Sequence, residues 1–338
     1  MQELLELAVF AGKAIIVLMT FAGIVIVIAL AVARNSMKGE LEVELLGEKW
    51  DLWEDLIAQN SLSKKELKDL SEEKKKNEKS KDQEKPTQRL FVLDFVGDIH
   101  ASQIDRFQSE VTAILLGRRD GDTVVLRINS PGGVVMGYGL AAAQILRLRS
   151  AGIQVLACVD QVAASGGYMM AVTAHKIYSA PFAIVGSIGV IAGLPNFNRL
   201  LKKYDVDYKE YTAGEYKRTV STLGEITEKG EAKFKEQLEL VHGHFKDFVH
   251  EYRPQMDLSQ IATGEYWHGV AAVKMGLVDH LATSEDVILG FRATHKIIHL
   301  TFHKKEKLKD KISGILGKSF RMALNNFLSD LDRNAMFM

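Results

Sequence analysis

The stretch Val124-Val125-Leu126-Arg127-Ile128-Asn129-Ser130-Pro131-Gly132-Gly133 decides the fold. Its β-branched, nearly continuous apolar start reads as a strand buried on both faces. Pro131 presets a turn, and the paired glycines free two backbone N–H groups. A helical pattern follows from Val135 to Arg149. Upstream, Leu90 to Phe95 reads as a strand and Ile104 to Leu116 as an amphipathic helix. Downstream come a strand over Ile153 to Val159, a loop, and a short helix beginning near Gly166. Strands alternating with helices predict an α/β fold with a largely parallel sheet and right-handed crossovers. Further on, Asn196 to Tyr204 reads helical, Tyr208 to Thr212 extended, and Lys229 to Tyr252 as a long polar helix. Tyr178 to Leu194 is apolar enough to mimic a membrane span. Pro181, Gly186, Ser187, Gly189 and Gly193 interrupt it, so it is expected to be a buried, turn-rich segment.

Outward from this body the character of the chain changes. Residues 14–33, AIIVLMTFAGIVIVIALAVA, carry no charge and match the roughly 20 apolar residues that cross a bilayer. Lys13 and Arg34 flank them, placed to reach headgroups. Ala31-Val32-Ala33 resembles a signal-peptide cleavage site, but the leader MQELLE is acidic and the apolar core is long. The expectation is a retained N-terminal transmembrane helix. Ser61 to Gln88 is dense in Lys and Glu and reads as a solvated tether, disordered or transiently helical. The expected domains are therefore an anchor over 1–34, a charged linker over 35–88, a folded domain over 89–290, and a basic amphipathic tail over 291–338. In that tail Leu308, Ile312, Ile315, Leu316, Phe320, Leu324, Phe327, Leu328 and Leu331 recur at helical spacing. They suit packing against the body or another subunit, or an anionic membrane surface.

The 338 residues hold 43 Lys plus Arg against 43 Asp plus Glu, so no overall charge points to nucleic acid. The single cysteine, Cys158, excludes an internal disulfide and lies in an apolar run, as a buried small hydrophobe. No His-Glu-x-x-His pair, Walker loop or Gly-x-Gly-x-x-Gly turn is present, so neither a metal nor a nucleotide cofactor is expected.

Four short motifs bear on chemistry. In Ala163-Ala164-Ser165-Gly166-Gly167-Tyr168 a serine with small neighbours sits between a strand and a helix. It suits a nucleophile beside a helix N-terminus, or an ordinary N-cap. The Gly-x-Ser-x-Gly elbow of many hydrolases is absent. Ser130-Pro131-Gly132-Gly133 suits an oxyanion hole shared with the Gly166 N–H, or a plain turn. In Gly214-Glu215-Tyr216-Lys217, the lysine serves as a base only if desolvated; surface exposure is the default. In Val185-Gly186-Ser187-Ile188-Gly189 the serine suits a hydroxyl that orients the lysine, or a turn. A Ser-His-Asp site using His100 or His175 stays formally open, since no spacing selects either.

Taken together these motifs resemble the signal-peptide-peptidase A family of serine proteases. Arg127 to Gly133, Ala164 to Tyr168, Val185 to Gly189, Gly214 to Lys217, Gly264-Glu265-Tyr266-Trp267, and Ala271 through Gly276-Leu277-Val278-Asp279 all match in order. The resemblance implies a ClpP/crotonase-like fold and a Ser-Lys dyad without metal or organic cofactor. It makes Ser165 the nucleophile, Lys217 the base, and the Gly133 and Gly166 N–H groups the oxyanion donors. In that family serine and lysine meet across neighbouring protomers or repeats, so a homo-oligomer is implied.

The expected function is a membrane-anchored serine endopeptidase acting on membrane-proximal or unfolded polypeptides, or on signal-peptide remnants. The alternatives are a crotonase-type acyl-CoA enzyme and a non-catalytic membrane scaffold. A bacterial inner membrane is implied. Lys13 before the span and Arg34, Lys38 and Lys49 after it favour a cytoplasmic body. The expectation is nonetheless a periplasmic body, despite that charge count.

Overall fold

The computed structural model describes residues 40–81 and 88–303. The anchor run 14–33 and the amphipathic pattern from Leu308 onward lie outside the described residues. Among the described residues no helix is long and apolar enough to cross a membrane. The chain divides into two units, residues 43–301 and the two chain ends, 1–42 with 302–338.

In chain order the elements are β1 (Glu40–Leu45), α1 (Leu46–Ser61), α2 (Lys64–Lys81), β2 (Gln88–Val96), α3 (Ile104–Leu116), β3 (Thr123–Asn129) and α4 (Val135–Ser150). Then follow β4 (Gln154–Val159), β5 (Val162–Ala164), α5 (Gly166–Val172), β6 (Lys176–Ser179), β7 (Ile184–Gly186), α6 (Asn198–Lys203) and α7 (Glu228–Tyr252). The last are α8 (Leu258–Ile261), β8 (Tyr266–His268), α9 (Gly269–Ala272), β9 (His280–Leu281), α10 (Ser284–Gly290) and β10 (His295–His303).

The α/β expectation holds. A seven-stranded sheet runs β1-β10-β2-β3-β4-β6-β9, and a three-stranded sheet runs β5-β7-β8. Pairs from β10 through β2, β3, β4, β6 and β9 are parallel. Side chains of β2 alternate between two cores, as a strand with period two must when both faces are covered. Phe91, Leu93 and Phe95 join Phe107, Val111 and Ile114 of α3 and Ile145 and Leu148 of α4. Leu90 and Val92 turn the other way, toward Val125, Leu156, Ile288 and Ile297, with Leu46 and Trp50 of α1 packed against them. Cys158 is fully buried there, and burial pushes its thiol up to about 12.

Local chemistry fixes the helix ends. Thr283 and Asp286 form a reciprocal capping box at α10. Thr227 caps α7 by accepting the Gly230 N–H at 3.1 Å. Ser63 and Glu66 exchange hydrogen bonds at the start of α2, where Lys- and Glu-rich sequence favours helix. The stretch read as linker therefore holds β1, α1 and α2, and α1 packs on the body through its two inward apolar side chains. Tyr178 to Leu194 takes in the end of β6 and all of β7; Ser179, Ala183, Val185, Gly186 and Ile188 are buried, Pro181 and Phe182 between the strands are exposed, and the chain then continues irregularly with Ile191 exposed. Tyr208 to Thr212 joins no strand.

Candidate active site

The site grows from the end of β3. Beyond Asn129 the chain leaves the main sheet, and Ser130 bridges in parallel to Ala163 of β5. The Ser130 N–H donates to Val162 O at 2.8 Å, and the Ala164 N–H donates to Ser130 O at 3.0 Å. The turn predicted at Ser130-Pro131-Gly132-Gly133 is thus tied to the strand that delivers Ser165.

Ser165 follows β5 directly, and α5 begins at the next residue. Its backbone has φ 51° and ψ −117°, the first central position of a type II′ turn, where glycine is usual. A non-glycine residue held in such a region costs about 1–3 kcal/mol and persists only where the surroundings dictate it. Here they do: the Ser165 N–H donates to Gly186 O at 2.8 Å, and Ser165 O accepts the Met169 N–H at 2.9 Å. The side chain is half-buried and makes no capping hydrogen bond, so the N-cap reading gains no support.

The two glycines of the turn press against it. A Cβ on Gly132 would lie 2.7 Å from both Ala164 O and Gly166 N and 2.8 Å from Ser165 Cβ, and its φ of 88° is left-handed. Only glycine fits there. Gly133 is held by the loop after β2: an added Cβ would lie 2.1 Å from Ile99 O, which accepts the Val134 N–H at 2.8 Å. Neither the Gly133 nor the Gly166 N–H is engaged in a hydrogen bond among the described residues. Both belong to segments that converge on Ser165, as backbone donors for an oxyanion would.

Ser187 comes beside Ser165. Strands β5 and β7 pair in parallel with Ala164 opposite Gly186, so each serine is the next residue past its strand. Ser187 too has a positive φ, 53°. Its N–H donates to Glu265 O at 2.7 Å and its hydroxyl to Gly264 O at 3.3 Å. The Gly264-Glu265-Tyr266-Trp267 motif therefore continues the small sheet, with Trp267 opposite Val185.

Within one chain no hydrogen bond joins Lys217 to Ser165. It sits on an exposed irregular segment after Gly214, whose O accepts its N–H at 3.2 Å. Its neighbours are engaged: Glu215 pairs with Lys229 at 2.5 Å, and Arg218 with Glu210. The Lys217 amine makes no hydrogen bond or ion pair among the described residues. Of the histidines, His175 accepts the Val155 N–H at 3.0 Å through Nδ1, and burial lowers its pKa. His100 is exposed, and neither ring bonds to Ser165.

Sequence reading overlooked Tyr138, which is fully buried beneath this site. Its hydroxyl donates to Asp98 O at 2.7 Å and lies 2.6 Å from Ser130 Oγ. An aromatic at a helical core position carries no local sign of such partners.

Two family models match the chain, peptidase family S49 N-terminal over residues 2–145 and peptidase family S49 over residues 147–297. The "Probable protease SohB" of Haemophilus influenzae is 42% identical over 337 residues, covering 95% of each chain. That of Buchnera aphidicola subsp. Schizaphis graminum is 46% identical over 229 residues, covering 67% of each. Among solved structures, the membrane-bound stomatin-specific protease 1510-N with a substrate peptide matches at a TM-score of 0.43 and 15% identity, over 68% of this chain and 97% of that one. With near full-length identity to one relative and family matches spanning both halves, the chain belongs to peptidase family S49 and is a protease of that family.

Proposed function

We propose that this protease is a membrane-anchored serine endopeptidase in which Ser165 is the nucleophile and Lys217 the general base. The observation that carries the reading is the backbone of Ser165, held in a glycine-type conformation at the start of α5 against the Gly132-Gly133 turn. In the proposed reaction neutral Lys217 takes the Ser165 proton as the hydroxyl attacks a peptide carbonyl. The Gly133 and Gly166 N–H groups receive the oxyanion. Protonated Lys217 then donates to the leaving amine, and water releases the acyl group by the reverse proton path. Ser187, one strand away from Ser165, is the hydroxyl proposed to orient the amine. The parallel sheet, with the nucleophile at a strand end facing paired glycine amides, suits the ClpP/crotonase-like reading. No metal or organic cofactor enters this scheme.

A lysine works as a base only where water is excluded from it. In one chain Lys217 is exposed, so a second copy is proposed to cover it and complete the dyad. Exposed Ile191, Leu194, Phe197 and Leu200 suit such a contact. The apolar run 14–33 supports the anchor, and the bacterial relatives support an inner-membrane location with the body proposed to be periplasmic. Membrane-proximal or unfolded polypeptides and signal-peptide remnants are the proposed substrates.

Ser165→Ala and Lys217→Ala should each abolish peptide cleavage while leaving the fold intact. Oligomers mixed from the two inactive variants should regain activity, because some interfaces pair an intact serine with an intact lysine. Full activity in either single variant rules out the dyad; silent mixed oligomers rule out its completion between copies.

A further inference from the structure

Segments distant in sequence meet behind the two glycine amides. The Tyr138 ring lies against Gly166, where an added Cβ would be 2.3 Å from Tyr138 Cγ. The Tyr138 hydroxyl donates to Asp98 O, and Ser130 Oγ accepts the Gly132 N–H at 3.1 Å. A phenol has one proton, and a carbonyl can only accept. With that proton committed to Asp98 O, the close contact between the Ser130 and Tyr138 hydroxyls leaves Ser130 as its donor. The chain thus has one direction: Gly132 N–H to Ser130 Oγ, Ser130 O–H to Tyr138 Oη, Tyr138 O–H to Asp98 O. Gly97 makes room for it, since a Cβ there would lie 2.3 Å from Ser130 Oγ and 2.4 Å from Tyr138 Oη.

We infer that Tyr138 is a positioning residue that sets the gap between the two halves of the amide cradle, gripping the Gly132-Gly133 turn through Ser130 and the Gly166 amide through its ring. The inference rests on Ser165 being the nucleophile. Tyr138 touches no reacting atom and acts only through the amides it places. Burial pushes its phenol above the ordinary value, so the hydroxyl keeps its proton at neutral pH. An oxyanion exists only in the tetrahedral intermediate and the transition states flanking it, and its donors work only at hydrogen-bond distance. A loosened cradle therefore slows turnover without weakening substrate binding.

The test is Tyr138→Phe in the full-length, membrane-embedded protein, with Ser165→Ala alongside. A fluorogenic peptide gives kcat and KM separately, and a peptide boronic acid, whose tetrahedral adduct offers an oxygen to the same amides, reports on the cradle. Phenylalanine keeps the ring against Gly166 and removes only the hydroxyl. The expected result is a kcat at least ~10-fold lower, a KM within about twofold, and boronate affinity weakened in step with kcat. Ser130→Ala breaks the same chain one link earlier and should give the same split, which keeps the test decisive if Tyr138→Phe folds poorly. Wild-type kcat in both variants, or a loss confined to KM, overturns the inference while an inactive Ser165→Ala leaves the nucleophile standing. An active Ser165→Ala removes the nucleophile and this inference together.

Discussion

Replacing Asp94 by asparagine should cost the fold about 2 kcal/mol near pH 5, and about half of that loss should vanish by pH 3. Asp94 on β2 lies opposite Arg127 of β3. It accepts from Arg127 Nε at 2.5 Å and Nη2 at 2.9 Å, and pairs with His299 Nε2 of β10 at 2.8 Å. Burial alone would raise its pKa. The hydrogen bonds from His299 and Arg127 outweigh burial and bring it from 3.8 to about 2. A depression of nearly two pH units corresponds to about 2.5 kcal/mol at roughly 1.4 kcal/mol per unit. The carboxylate is 26% exposed, so screening removes only part of this. Because the folded value is depressed, the contribution is complete above the unfolded carboxylate range and is lost as pH falls toward 2. His299 shows the other side of the same interaction: its bond to Asp94 raises its pKa against burial. That contribution is present below the ordinary imidazole value and lost as pH rises through the elevated one. The two shifts describe one coupled site and are not added. Urea unfolding of wild type and Asp94→Asn at pH 5 and pH 3 gives the assay. An equal gap at both pH values, or an asparagine variant as stable as wild type at pH 5, refutes the reasoning.

Gly132→Ala should lower the melting temperature and silence hydrolysis, because the left-handed φ of 88° and the 2.7 Å approach to Ala164 O leave no room for a methyl group. The stability loss should be at least about 2 kcal/mol, read from denaturant melts beside an activity assay. Arg253→Met should cost about 3 kcal/mol, since the 5% exposed guanidinium binds Asp279 at 2.7 and 2.8 Å and its loss strands that carboxylate. Adding Asp279→Asn should recover part of the loss, and a double variant no more stable than the single one would count against an ion-pair origin.

Helix α3 was legible to its boundaries, because Phe107, Val111 and Ile114 mark one face of a 3.6-residue period. Strand β3 was equally plain, because burial on both faces leaves a continuous apolar run. Strand β10 was not. His295-Lys296-Ile297-Ile298-His299-Leu300 merges with the basic residues around it, and its partner β2 lies far upstream, beyond any local cue. Strand β1, Glu-Leu-Glu-Val-Glu-Leu, alternates as a strand should but was absorbed into the charged stretch by composition. At the candidate site, Ser165 and the glycine pairs could be named from ordered motifs. The strained backbone of Ser165 could not, since Gly186 O, which fixes it, belongs to another strand. The setting of Lys217 was equally hidden, because burial of a lysine depends on what covers it.

The last strand of the body also constrains when the protein can assemble. Ile297 of β10 settles beside Leu90 of β2, a closure across roughly 200 residues of chain, and such distant pairings are slow because loop entropy is lost before contacts form. While the ribosome is still adding the final segment, β2 must wait with one edge uncovered. An exposed edge of this kind invites pairing with foreign strands. Synthesis of the C-terminal segment is thus a checkpoint: chains truncated before it emerge with an open sheet and a standing invitation to aggregate.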